Sequence, residues 1–174
     1  MDIYDTVLEV IDMRSFSNLW YWIALAVLWS STSHWVLGVP QDLIHRARRQ
    51  GGQTEQDVEA MVQINQRRIL GIARTAAMPL FASVAFLMTV LTLLAFRYDV
   101  EFAQAVFFLA APMVLVGWLS VFTAAKIEAG EDRGPALYRR LLIHRRIVQV
   151  IGMLSIFVTS IYGMYQNLNI SILN

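Results

Sequence analysis

Four long apolar stretches, separated by polar segments of unequal length, set the pattern of the chain. They run from Asn18 to Val39, from Ala76 to Phe96, from Phe102 to about Ala125 and from Ile147 to Tyr165. At 1.5 Å per residue the second reaches about 31 Å, the thickness of a bilayer's hydrocarbon core. The first stretch is shorter in its apolar part, about 24 Å from Trp22 to Gly38, and its inner half carries Ser30, Ser31, Thr32, Ser33 and His34 in a row. Before it, Ile3, Val7, Leu8 and Ile11 fall on one helical face and Asp2, Asp5, Glu9 and Asp12 elsewhere, predicting a short interfacial helix over 2–14.

The connections are also helical in pattern. Pro40 interrupts the first stretch, and a basic segment over 41–50 ends at Gly51-Gly52, a turn signal. Thr54 with Asp57 resembles a capping box, and Val58, Met61, Val62, Ile69 and Ile72 recur at helical spacing. No breaker precedes Pro79, so this helix is expected to run straight into the second span. The short link Arg97 to Glu101 makes spans two and three an antiparallel hairpin. Pro112 lies mid-span and leaves a carbonyl that a neighbour must satisfy. Gly130 ends the third helix, and Gly134-Pro135 starts the fourth. The expected fold is all-α: a single membrane domain over 1–174 with four transmembrane helices (18–39, 76–96, 102–125 and 147–165) and helical cytoplasmic segments at 40–75 and 126–146.

Composition agrees, with 57% hydrophobic residues in 174 and a mean hydropathy of +0.51. The net charge of +1 says little, but its distribution says much. Arg46, Arg48, Arg49, Arg67, Arg68, Arg74, Lys126, Arg133, Arg139, Arg140, Arg145 and Arg146 fall on one side of the spans, and only Arg14 and Arg97 on the other. The positive-inside rule then places the connections after spans one and three in the cytoplasm and both termini outside. The acidic N-terminus and the lack of a small-residue cleavage site predict a retained first helix, and the expected location is a bacterial inner membrane, multi-pass, N-out and C-out.

Candidate chemistry is sparse. With no cysteine there is no disulfide or thiolate metal site. No Asp or Glu lies inside a span, no second histidine faces His34 as haem b would need, and no nucleophile triad or phosphate loop is recognisable. No catalytic residue, metal or cofactor is expected. Ser30, Ser31, His34 and Gly38 on the first span, and Ser155, Thr159 and Gly163 on the fourth, form polar and small-residue stripes suited to helix or partner contact. Arg46, Arg48, Arg49, Arg139, Arg140, Arg145 and Arg146 form a basic face suited to anionic phospholipid or an acidic partner. Nucleic acid is not an expected partner; the bilayer and other membrane subunits are.

The run from His34 to Ile44 (HWVLGVPQDLI), followed by the arginine cluster and three more spans, resembles small bacterial four-helix membrane proteins filed as components of the SufBCD iron–sulfur assembly complex. The resemblance covers most of the chain and implies a small bacterial membrane protein. It transfers no catalytic motif, and a chain without cysteine lacks the thiolates of direct cluster chemistry. The expected function is a non-catalytic accessory or scaffold subunit of a larger membrane complex. Two alternatives stand beside it: a homo-oligomeric channel lined by the polar half of the first helix, and a quinone- or lipid-binding subunit using His34.

Overall fold

The computed structural model describes residues 15–172, so the expected interfacial helix at 2–14 lies outside it. After a 3-10 turn at Ser15–Ser17 come α1 (Leu19–His34), a small antiparallel hairpin of β1 (Trp35–Val36) and β2 (Val39–Pro40), α2 (Gln41–Gln50), α3 (Gly52–Thr75), α4 (Ala77–Thr92), a π-helical turn (Leu93–Arg97), α5 (Glu101–Glu128) and α6 (Gly134–Ile172). The all-α expectation holds apart from the hairpin. Three helical stretches are long and apolar enough to cross a membrane: Ala77–Arg97, Glu101–Glu128 and Gly134–Leu168.

The first helix departs from expectation. The side-chain oxygen of Asn18 accepts from Trp20 N at 2.9 Å and starts α1, but the helix stops at His34 instead of continuing to Val39. Leu37 (φ +50°) and Gly38 (φ +76°) are both left-handed, as a two-residue type I′ hairpin turn requires. Two forces favour the hairpin. Pro40 disfavours helical backbone at Val39, and the hairpin buries Val36, Leu37 and Val39 together. At 16 residues α1 is about 24 Å long, below the length that spans a bilayer unaided.

A second departure falls at Ala76 (φ −113°, ψ 22°), which separates α3 from α4. A continuous helix would drive the Pro79 ring into the Thr75 carbonyl; the one-residue break puts Pro79 in the first turn of α4, where no amide donor is needed. The capping box is absent as well. Gly51 (φ +61°) both ends α2 and precedes α3, with no side-chain cap, while Asp57 accepts from Gln53 Nε2 at 3.1 Å. Gly130 (φ +126°) does close α5, as its position suggested.

Two separate cores hold the helices. At the arginine-rich end, Val36, Leu37, Val39, Ile44, Ala47, Val58, Val62, Ile127, Leu137 and Leu141 form one cluster drawn from the hairpin, α2, α3 and the ends of α5 and α6. The basic segment over 41–50 is therefore not a separate strip but part of a packed cap. Within the apolar zone, Leu25, Trp29, Val116 and Val148 form the second cluster, flanked by Trp22, Leu109, Met113, Leu119 and Ile151. At the far end Phe16 packs edge-on against Tyr21, Phe108 and Tyr162. There the π turn is tied down by Gln104: its amide nitrogen donates to Ala95 O at 2.8 Å, and its side-chain oxygen accepts from Gln166 Nε2 at 2.7 Å. The outward faces of the apolar helices remain uncovered, with Met78, Phe81, Trp118 and Phe157 all largely exposed, as side chains facing lipid are.

Candidate functional site

The small-residue stripe of α6 is the seat of α1. Gly152, Ser155, Thr159 and Gly163 lie on one α6 face. A Cβ at Gly152 would stand 2.8 Å from Trp29 Cε3, and one at Gly163 would stand 3.2 Å from Phe16 Cδ1 and 3.4 Å from Trp22 Cζ2. The absent side chains are thus what lets the large aromatic rings of α1 and its leading turn approach. Thr159 is fully buried and donates to Ser155 O at 2.7 Å. Ser155 donates to Phe108 O at 3.5 Å, the long end of hydrogen bonding. That carbonyl is the one Pro112, four residues on, leaves without an amide donor, so Ser155 answers the requirement the proline imposes.

The polar half of α1 is divided by the structure. Thr32 donates to Leu28 O at 2.7 Å, and Ser33 to Ser30 O at 3.1 Å. Ser31 is exposed. Ser30 and Ser33 line a groove of about 540 Å³ between α1 and α6, with Ala26, Trp29, Gln149, Gly152 and Met153. Trp29 Nε1 is buried without a hydrogen-bond partner. His34, expected inside a span, is the last residue of α1; its ring is half exposed and its Nε2 lies 3.9 Å from Asp42 Oδ1. Gly38 does not continue the α1 face, because it sits in the hairpin turn against the Asn65 amide. The expected alignment of Ser30, His34 and Gly38 on one helical stripe therefore does not form.

The arginines separate into paired and free. Arg46 Nη2 donates to Asp42 Oδ2 at 2.9 Å, and Arg140 Nη2 to Glu131 Oε1 at 2.6 Å. Their guanidiniums hold the Asp42 and Glu131 carboxyls below the ordinary carboxylate value. Arg74 Nη1 meets Glu128 Oε1 at 3.1 Å, linking α3 to α5. Arg145 is half-buried, with Nε lacking a partner, and Arg49 is exposed. Arg48, Arg139 and Arg146 line a cleft of about 630 Å³ with Ala47, Gly51, Glu55, Pro135, Tyr138 and Leu142. The α6 members of this lining recur three to four residues apart, so they share one face of the helix.

No family model, curated protein or solved structure matches this chain.

Several residues that shape these sites were not singled out from sequence. Gly152 extends the Ser155–Thr159–Gly163 stripe by one helical step, and that spacing was available to find it. Gln149 and Tyr138 carried no signal, because their importance comes from what other elements place beside them. His144 is buried and bonds Thr123 Oγ1 at 3.0 Å, joining α5 to α6. Among the described residues no three His, Asp or Glu side chains converge in a way that could hold a metal ion.

Proposed function

We propose that the chain is a non-catalytic accessory subunit of a bacterial inner-membrane complex, with four crossings, the arginine-rich cap in the cytoplasm and both termini outside. The fourth crossing is α1. It runs antiparallel to α6, with Phe16 level with Gly163 and Trp29 level with Gly152. It therefore covers the same depth as the apolar part of α6, and its shortness is offset by the Ser15–Ser17 turn at one end and the hairpin at the other.

The observation that carries the accessory reading is the α1–α6 groove. It brings Ser30, Ser33 and Gln149 to an otherwise apolar surface. Polar groups at membrane depth seldom face lipid; they meet another helix. A polar groove of this kind fits a transmembrane helix of a larger partner.

The test is purification from native membranes in mild detergent, with Ser30→Leu/Gln149→Leu as the disrupting variant. The wild type should migrate with a larger membrane protein, and the variant should migrate alone while remaining folded. A wild-type chain that always migrates as a monomer refutes the reading. Closed rings of this chain alone, with ion flux in liposomes, would instead establish the channel. The quinone-binding alternative gains no support from His34, whose ring lies exposed beside Asp42.

A further inference from the structure

We propose that the cleft between the C-terminal end of α2 and the first turns of α6 is a specific site for a phosphate-bearing anion, with Arg48, Arg139 and Arg146 as its ligands and Tyr138 as a neutral donor. The proposal deepens the membrane reading above and uses its placement of the cap.

Three observations converge on it. Most acidic side chains of the cap are already committed: Asp42 to Arg46, Glu128 to Arg74, Glu131 to Arg140, and Glu59 to the backbone N–H of Gly134 at 2.9 Å. Among the described residues, none of the three cleft arginines forms an ion pair, and Glu55 is the one carboxylate in the lining. The cleft lining therefore keeps an excess of two positive charges. Guanidinium groups favour phosphate oxygens because their paired N–H donors match them in geometry as well as charge. The Tyr138 hydroxyl is buried without a hydrogen-bond partner. Such a group disfavours the fold unless something else uses it.

Depth supplies the third observation. Arg146 directly precedes Ile147, where the apolar run of α6 begins, and Tyr138 lies two turns below, about 12 Å along the axis. The headgroup layer is about 5–7 Å thick on each side of a bilayer. Arg146 thus sits at the level of the headgroups and Tyr138 just beyond them. A cavity of about 630 Å³ exceeds bare phosphate and suits a phosphoglycerol headgroup or a soluble phosphoester. Both share the phosphate chemistry the cleft recognises.

The experiment separates these sources. The protein in phosphatidylcholine nanodiscs is titrated with short-chain phosphatidylglycerol and, separately, with inorganic pyrophosphate, and binding is read by native mass spectrometry. Arg48→Gln, Arg139→Gln and Arg146→Gln should each weaken binding about fivefold and the triple variant about a hundredfold. Arg46→Gln, whose guanidinium is held by Asp42, should change it less than about twofold. Tyr138→Phe should weaken binding while leaving thermal stability equal or higher, an opposition that a purely structural tyrosine would not give. Arginine-dependent binding of the lipid identifies a headgroup site, and of pyrophosphate alone a soluble phosphoester; either supports the cleft. Equal losses in Arg46→Gln and the cleft variants, or no binding of either probe, overturn it. A chain that stays monodisperse without detergent or lipid would refute the membrane placement instead, and the pyrophosphate titration would still read the cleft.

Discussion

Gly152→Ala adds one methyl group where α1 crosses α6. The new Cβ would lie 2.8 Å from Trp29 Cε3, 3.1 Å from Cδ2 and 3.4 Å from Cζ3, where carbon atoms pack at about 3.5–4.0 Å. Trp29 is only 5% exposed and belongs to the inner cluster of the bundle, so its rigid indole is held by packing on every side but the α1–α6 groove. The overlap must be relieved by moving α1 outward by several tenths of an ångström. Overpacking of this kind costs about 1–3 kcal/mol. Replacing glycine by alanine inside a helix returns about 0.5–1 kcal/mol, leaving a net loss of about 1 kcal/mol at the middle of both ranges and at most about 2.5 kcal/mol. For a chain of this size a loss of about 1 kcal/mol lowers Tm by about 2–4 °C, measured by circular dichroism in a mild detergent. Gly117→Ala on α5 is the internal control: nothing lies within 4 Å of its added Cβ, so only the helix-propensity gain remains and the sign reverses. In a Trp29→Phe background the penalty at Gly152 should shrink by about 1 kcal/mol, since the two sites are in contact. A Gly152→Ala protein as stable as Gly117→Ala would refute the seating of α1 on α6.

Three further outcomes follow from the cap and its turns. Gly38→Ala should cost about 1–2 kcal/mol, because alanine is strained in left-handed backbone and its Cβ would meet Asn65 Nδ2 at 2.8 Å; Asn65→Ala should recover the contact part and leave the backbone part, as read by thermal melts. Ile127→Ala removes a fully buried side chain from the cap cluster, and should cost about 2–5 kcal/mol and raise amide exchange across α2 and α3 while sparing the apolar core. The Glu131 carboxyl is held below its ordinary 4.5 by Arg140. Its stabilisation is therefore fully present above about pH 4.5 and is lost as pH falls through the lower folded value. In Arg140→Gln that acid-side loss should flatten, and an unchanged acid limb would refute the pair.

The long apolar spans were legible because twenty apolar residues in a row have few alternatives to crossing a bilayer. The break at Ala76 and the hairpin after His34 were not. Val36, Leu37 and Val39 continue the apolar run; Pro40 disfavours helix only at Val39, and it is the cap that buries all three that makes a turn at Leu37-Gly38 more favourable than further helix. The arginines of the cap were visible as a basic face. Which were neutralised was not, because Glu131–Arg140 and Glu128–Arg74 are partnerships set by tertiary packing, the latter between residues far apart in sequence. The stripe from Ser155 to Gly163 could be read directly from its spacing. Its partner could not, since spacing alone does not say that the occupant is the first helix of the same chain.

In the proposed topology α1 crosses the membrane and puts residue 17 on the opposite side from residue 50. A chain without cysteine offers a clean background for testing it. Single variants Ser17→Cys, Gln50→Cys, Tyr98→Cys and Asp132→Cys are treated in intact cells with a membrane-impermeant maleimide. Four crossings predict labelling at 17 and 98, with 50 and 132 reacting only after permeabilisation. Residues 17 and 50 labelled together, on either side, would contradict the fourth crossing.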